Sequence, residues 1–186
     1  MTTLRTNAAL AAALLLAAML GCSSYSESGG SSDVREPVRN DSGAAVCYFK
    51  EADSSMQRFF DTAYGYAIFP EVAKGAAGIG AAHGDGVVYE QGRLVGYTEL
   101  SQATVGAQLG GQTYREIIFF QDAYSLDKFK RGNVEFSAQA SAVAAAEGAS
   151  ADADYAEGVA IFTLPIGGLM GEASIGGQKF SYEPAR

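Results

Sequence analysis

The chain has 186 residues, 48% of them apolar, and its 21 acidic against 13 basic side chains give a formal charge of −8. That length suits one ordinary domain rather than a multidomain enzyme. The acidic excess excludes general nucleic-acid binding, which needs a surplus of Lys and Arg to neutralise phosphate.

Arg5 precedes an uncharged apolar run from Ala8 to Leu20. As a helix this run would rise about 20 Å, short of a ~30 Å bilayer core, so it reads as the h-region of a signal peptide rather than a span. It ends in Met19, Leu20, Gly21 and Cys22, which resembles the lipobox of bacterial lipoproteins, with Met19 where Leu is usual. The resemblance implies that residues 1–21 are removed, that Cys22 carries the lipid (palmitate among its acyl chains), and that the protein sits in the bacterial envelope. Ser23, rather than an Asp, follows the cysteine, which points to the outer membrane facing the periplasm. The sequence holds two cysteines, so lipid on Cys22 leaves Cys47 without a partner in the same chain, expected as a small buried hydrophobe.

Residues 22–43 are Ser- and Gly-rich with few apolar positions, a composition that cannot repay the entropy of folding and predicts a tether. A single domain over 44–186 follows. Ala45, Tyr48, Phe49, Ala52, Met56, Phe59, Phe60 and Ala63 recur at three- and four-residue steps, the signature of an amphipathic helix packed on a core.

Beyond Tyr64 the period changes to two. Tyr66 to Phe69 reads as a strand stopped by Pro70, with tight turns expected at Gly84, Asp85 and Gly86 and again around Gln91 and Gly92. Val87–Tyr89 and Leu94–Thr98 should form a hairpin. Ala103 to Gly110 and Val134 to Ala142 alternate as half-buried strands, whereas Ile117–Phe120 and Val159–Leu164 are apolar on both faces, as strands covered from both sides are. Ser125 is a candidate cap for a short helix with Lys128, Lys130 and Arg131 in its last turn and Gly132 after it. Residues 144–157 read as an irregular loop with a helical alternative, and a strand pair is expected near 168–176 and 179–182. The sum is a mainly β, α+β domain: a curved antiparallel sheet or barrel-like sandwich covered by an N-terminal amphipathic helix and one short helix.

Read in order, Gly65, Tyr66, Ala67, Ile68, Phe69 and Pro70, then Lys74, Gly75, Gly78, Gly80, Gly84, Asp85, Gly86 and Val87, resemble the SYLF domain of bacterial lipoproteins and eukaryotic membrane and actin adaptors. Gly96, the strand through Gln112, Phe119, Phe120, Gly132, Asn133, Val134, Gly168, Leu169, Met170 and Gly176 extend the resemblance over about residues 55 to 183. It implies a non-enzymatic domain that binds phospholipid or another anionic lipid, phosphoinositides in eukaryotic members, some of which also bind actin filaments. A net-acidic chain with a Ser-rich linker lacks the basic N-terminal segment those members use. The alternative is a structural module that contacts an envelope protein.

No catalytic residue is expected. His83 is the single histidine, so a metal centre of several imidazoles is excluded, and no Ser sits in a Gly-x-Ser-x-Gly elbow. His83 reads as flanking a turn. No cofactor is expected, because Gly75, Gly78 and Gly80 lack the third glycine and following helix of a dinucleotide loop. They read as strand glycines that admit a close neighbour. Lys128, Lys130 and Arg131, with Arg115 or Lys74, are the cations available for a lipid phosphate, although complementing a helix end explains the cluster equally. Phe119 and Phe120, set against small alanines, are the candidate lining of an apolar slot, with close packing the commoner result of such a mix.

Overall fold

The computed structural model describes residues 35–132, 142–169 and 177–185. The signal peptide, Cys22, most of the alternating stretch after Gly132 and residues 170–176 lie outside the described residues.

The expected tether ends earlier than its composition suggests, because α1 spans Arg35–Ala52. Val38, Ser42, Ala45, Phe49 and Ala52, spaced at three and four, form its inner stripe, and the Ser42 hydroxyl donates back to Val38 O at 2.6 Å. The long amphipathic helix expected to Ala63 is broken at Asp53, whose extended backbone caps a 3₁₀ turn at Ser54–Met56. Helix α2, Gln57–Thr62, follows. Cys47 lies on α1.

Two strands dominate: β1 runs Gly65–Glu90 and β2 runs Arg93–Phe120. The link between them is the expected tight turn, with Gln91 at φ 49° and Gly92 at φ 76°. Positive φ at both central residues makes a turn whose twist matches the hairpin. Pro70 does not stop its strand; it sits in a bulge between Phe69 and Val72, where a missing N–H breaks no ladder bond.

Nor do Gly84, Asp85 and Gly86 form a turn, since they pair with Leu100, Glu99 and Thr98 inside the hairpin. Their glycines serve a different purpose. A β-carbon on Gly84 would lie 2.8 Å from Glu71 O, one on Gly86 2.5 Å from Ile68 O, and one on Gly65 2.5 Å from Tyr89 O. The first third of β1 therefore lies against its own last third, so the hairpin is folded over at its glycine-rich middle, near a second irregularity between Ala77 and Ile79.

Helix α3, Ala123–Lys130, is capped by Asp122 rather than Ser125: the Asp122 carboxylate accepts from Ser125 N at 2.8 Å, and Ser125 is buried within the first turn. Gly132 closes the helix at φ 69°, as expected. The two-residue strand β3 (Val143–Ala144) runs parallel to β4 (Val159–Leu169), and residues between them form turns. β4 pairs antiparallel with Gly111–Phe120. β5, Gln178–Pro184, pairs with Gly96–Gln102 of β2, while most of the strand expected near 168–176 falls outside the described residues. Among the described residues the order is β1-β2-β4-β3 with β5 on β2, and no pairing closes it into a barrel. The mainly β fold with covering helices is therefore observed.

The curled sheet has two cores. Outside, α1, the 3₁₀ turn and α2 press Phe49, Met56 and Phe59 in turn onto Ile68, Ile117, Phe119 and Phe162. Their rings interlock, with Phe59 4.9 Å from Phe162 and Phe60 4.9 Å from Phe119. Inside the curl, Phe69, Leu100, Ile118, Phe120 and Phe180 meet Leu126 and Phe129 of α3.

Candidate functional site

The sequence-selected cations do not form one phosphate cradle. Lys74 points into the curl and is 4% exposed. Arg115 lies on the outer face, its guanidinium 4.2 Å from the Tyr48 ring of α1. Lys130 donates to Glu90 Oε2 at 2.6 Å, while Tyr64 donates to Glu90 Oε1 at 2.8 Å. Those two bonds, that of Lys130 first, hold the Glu90 carboxyl below its ordinary range. Lys130 is thus a clasp between α3 and the end of β1. Lys128 and Arg131 alone of the set stand exposed beside it.

Phe119 and Phe120 are fully buried on opposite faces, Phe119 in the outer core and Phe120 in the inner. This corrects their assignment to a lipid slot: they are packing residues, and close packing prevails. A small cleft lined by Val143, Ala153, Asp154 and Val159–Phe162 has a volume of about 30 Å³, room for a water or two rather than an acyl chain.

His83 lies in a strand rather than beside a turn, exposed, with Nδ1 3.5 Å from Glu99 Oε1 and Nε2 3.9 Å from Asp85 Oδ2. No group of three or more metal-ligating side chains occurs among the described residues.

Two features escaped sequence reading. The first is on the outer face, where α1 and α2 leave the folded middle of the hairpin bare. Ala73, Gly75, Ala77, Ile79 and Ala81 alternate outward along β1, Ile79 being 71% exposed, and Ile166 of β4 is 43% exposed. No charged residue occurs between Gly75 and Ala82 or between Ser101 and Tyr114. The period-two pattern was visible, but small alternating residues read equally well as buried.

The second feature is a polar layer inside the curl: Lys74 of β1, Gln102, Tyr114 and Glu116 of β2, and Gln178 of β5. Glu116 is completely buried and accepts from Gln178 Nε2 at 3.0 Å through Oε2. Burial pushes its carboxyl up to about 7, against the Gln178 bond and the Lys74 charge, which pull it down. Glu116 Oε1, Tyr114 Oη and Gln178 Oε1 have no hydrogen-bond partner. Tyr114 lies beside both others, outside sound hydrogen-bond geometry. A Glu immediately before the apolar run Ile117–Phe120 was the available signal.

The sequence of this domain matches known proteins. Residues 101–184 match the family model Ysc84, described as Las17-binding protein actin regulator. The chain is also 32% identical over 140 residues to Beta cell expansion factor A of Aeromonas veronii, an alignment covering 74% of this chain and 52% of that protein. The chain belongs to the Ysc84/SYLF family. It spans about half the length of the curated relative it matches.

Proposed function

We propose that this is a non-enzymatic envelope lipoprotein whose SYLF domain binds phospholipid. The observation that carries the reading is the bare outer face around Ile79: an uncharged apolar sheet surface is what a lipid bilayer accepts and water does not. Exposed Lys128 and Arg131 supply cations for a headgroup, with Arg115 and Lys74 committed elsewhere. The Cys22 anchor would keep the domain beside the outer membrane.

Flotation of the Cys22→Ala protein with anionic and with zwitterionic liposomes tests lipid binding separately from the anchor. Binding is expected, and Ile79→Asp should weaken it by about tenfold, since burying one such side chain contributes roughly 2 kcal/mol. Failure to float with either liposome would leave the alternative, an acidic module that contacts an envelope protein.

The anchor has its own check. Because the chain has two cysteines, a thioether on Cys22 and a bond from Cys47 within the same chain exclude each other. Intact mass of the membrane-extracted protein should show an acyl adduct; a mass two hydrogens below the unmodified chain would refute the anchor.

A further inference from the structure

The helical cover of the outer face ends at a contact between Tyr48 of α1 and Arg115 of β2, whose guanidinium lies 4.2 Å from the Tyr48 ring. Tyr48 is 47% exposed. Thr113, two residues before Arg115 on the same face of β2, pairs with Ala73 of β1 and Gly167 of β4, both exposed in the bare surface that carries Ile79 and Ile166. Residues two apart along a strand are separated by about 7 Å. Arg115 therefore stands at the rim of the apolar patch, where a headgroup would lie if the patch met lipid chains.

Its commitment to Tyr48 is one of charge alone. A ring face attracts a cation without supplying an acceptor oxygen, and a guanidinium holds five N–H donors in a rigid fork. Among the described residues no hydrogen bond or ion pair takes them up. Leu164 of β4, paired with Arg115, is apolar, and Glu71, exposed in the β1 bulge across from it, forms no ion pair with it. The ring meanwhile limits where the guanidinium can swing, which lowers the cost of ordering it on a ligand. A permanent positive charge on a planar fork matches two oxygens of a phosphate, and a phosphate stands just outside the chains of every phospholipid.

The geometry points to Arg115, steadied by Tyr48, as the group that takes the headgroup phosphate of a phospholipid whose chains meet the Ile79 face. This inference rests on the lipid reading above and names what makes that surface prefer phospholipid to a lipid without phosphate. Lys128 and Arg131 add charge from α3, while Arg115 places a fork of donors at the rim itself.

Flotation of the Cys22→Ala protein with vesicles of phosphatidylcholine and of digalactosyl diacylglycerol, which carries no phosphate, separates the two contributions. Arg115→Gln should weaken binding to phosphatidylcholine at least about fivefold and leave binding to the galactolipid within about twofold. That unchanged binding also shows that the variant is folded. Ile79→Asp should weaken both. Equal loss on both lipids with Arg115→Gln, or none on either, would overturn this inference and leave the lipid reading standing, whereas a protein that floats with neither lipid before substitution would sink both. A second measurement keeps Arg115 intact: its Nε–Hε resonance should shift on phosphatidylcholine nanodiscs, and an unmoved resonance would overturn the assignment. Inorganic phosphate at about 10 mM should produce no comparable shift; an equal shift would make the free ion the ligand and end the proposal.

Discussion

Gly86→Ala is expected to cost at least about 3 kcal/mol and to abolish cooperative unfolding of the domain in a denaturant titration. The added methyl would sit 2.5 Å from Ile68 O and 2.7 Å from Phe69 Cδ1. Neither neighbour can yield cheaply: Ile68 O is backbone, and the Phe69 ring is fully buried in the inner core. Relief requires the two thirds of β1 to separate, opening the curl on which the inner core depends. Gly75→Ala is the matched control, because nothing lies within 4 Å of its β-carbon position, and it should stay within about 0.5 kcal/mol of wild type. A Gly86→Ala protein as stable as that control would show that the hairpin does not fold over.

The second large effect belongs to Asp53. Its buried carboxylate accepts from Ser55 N at 3.0 Å, Ser55 Oγ at 2.6 Å, Gly148 N at 3.2 Å and Ser150 N at 2.7 Å. It thereby ends α1 and pins the 145–153 turns against the outer helices. Arg58 adds bonds to Ser150 O and Ala153 O. Asp53→Ala leaves the Ser150 and Gly148 amides without their acceptor and should cost roughly 3–5 kcal/mol, read as a fall in the denaturation midpoint.

Burial alone would raise the Asp53 carboxyl, but the hydrogen bonds from Ser55 and Ser150 outweigh it and bring it from 3.8 to about 2. Its contribution is therefore present above the unfolded value of 3.8 and is lost as pH falls through about 2. Wild type should lose stability over that acid window, and Asp53→Ala should lack that part of the loss. Equal acid dependence in the two proteins would remove Asp53 from this role. The opposite directions of Asp53 and Glu116 share one balance: both are buried, but the hydrogen bonds to Asp53 outweigh that burial, whereas the Gln178 bond and the Lys74 charge do not outweigh it for Glu116.

The sequence by itself determined the local elements and the class of fold. The turn at Gln91–Gly92 placed the hairpin strands 87–89 and 94–98, and runs apolar on both faces placed 117–120 and 159–164, while that turn and the Gly132 helix end followed from residues that tolerate positive φ. Such signals lie within a few residues of what they specify. Only the tertiary structure decided that Gly84 and Gly86 serve close approach instead of a turn, that Pro70 occupies a bulge, and that Lys74 faces inward. Each depends on a neighbour brought up by the fold: Glu71 O and Ile68 O for the glycines, the β2 register for Pro70, and Glu116 for Lys74. The same holds for Phe119 and Phe120, whose apolar character was plain while the two cores enclosing them come from helices and strands distant in the chain. Burial and charge compensation are properties of what surrounds a residue, and a linear pattern does not record those surroundings.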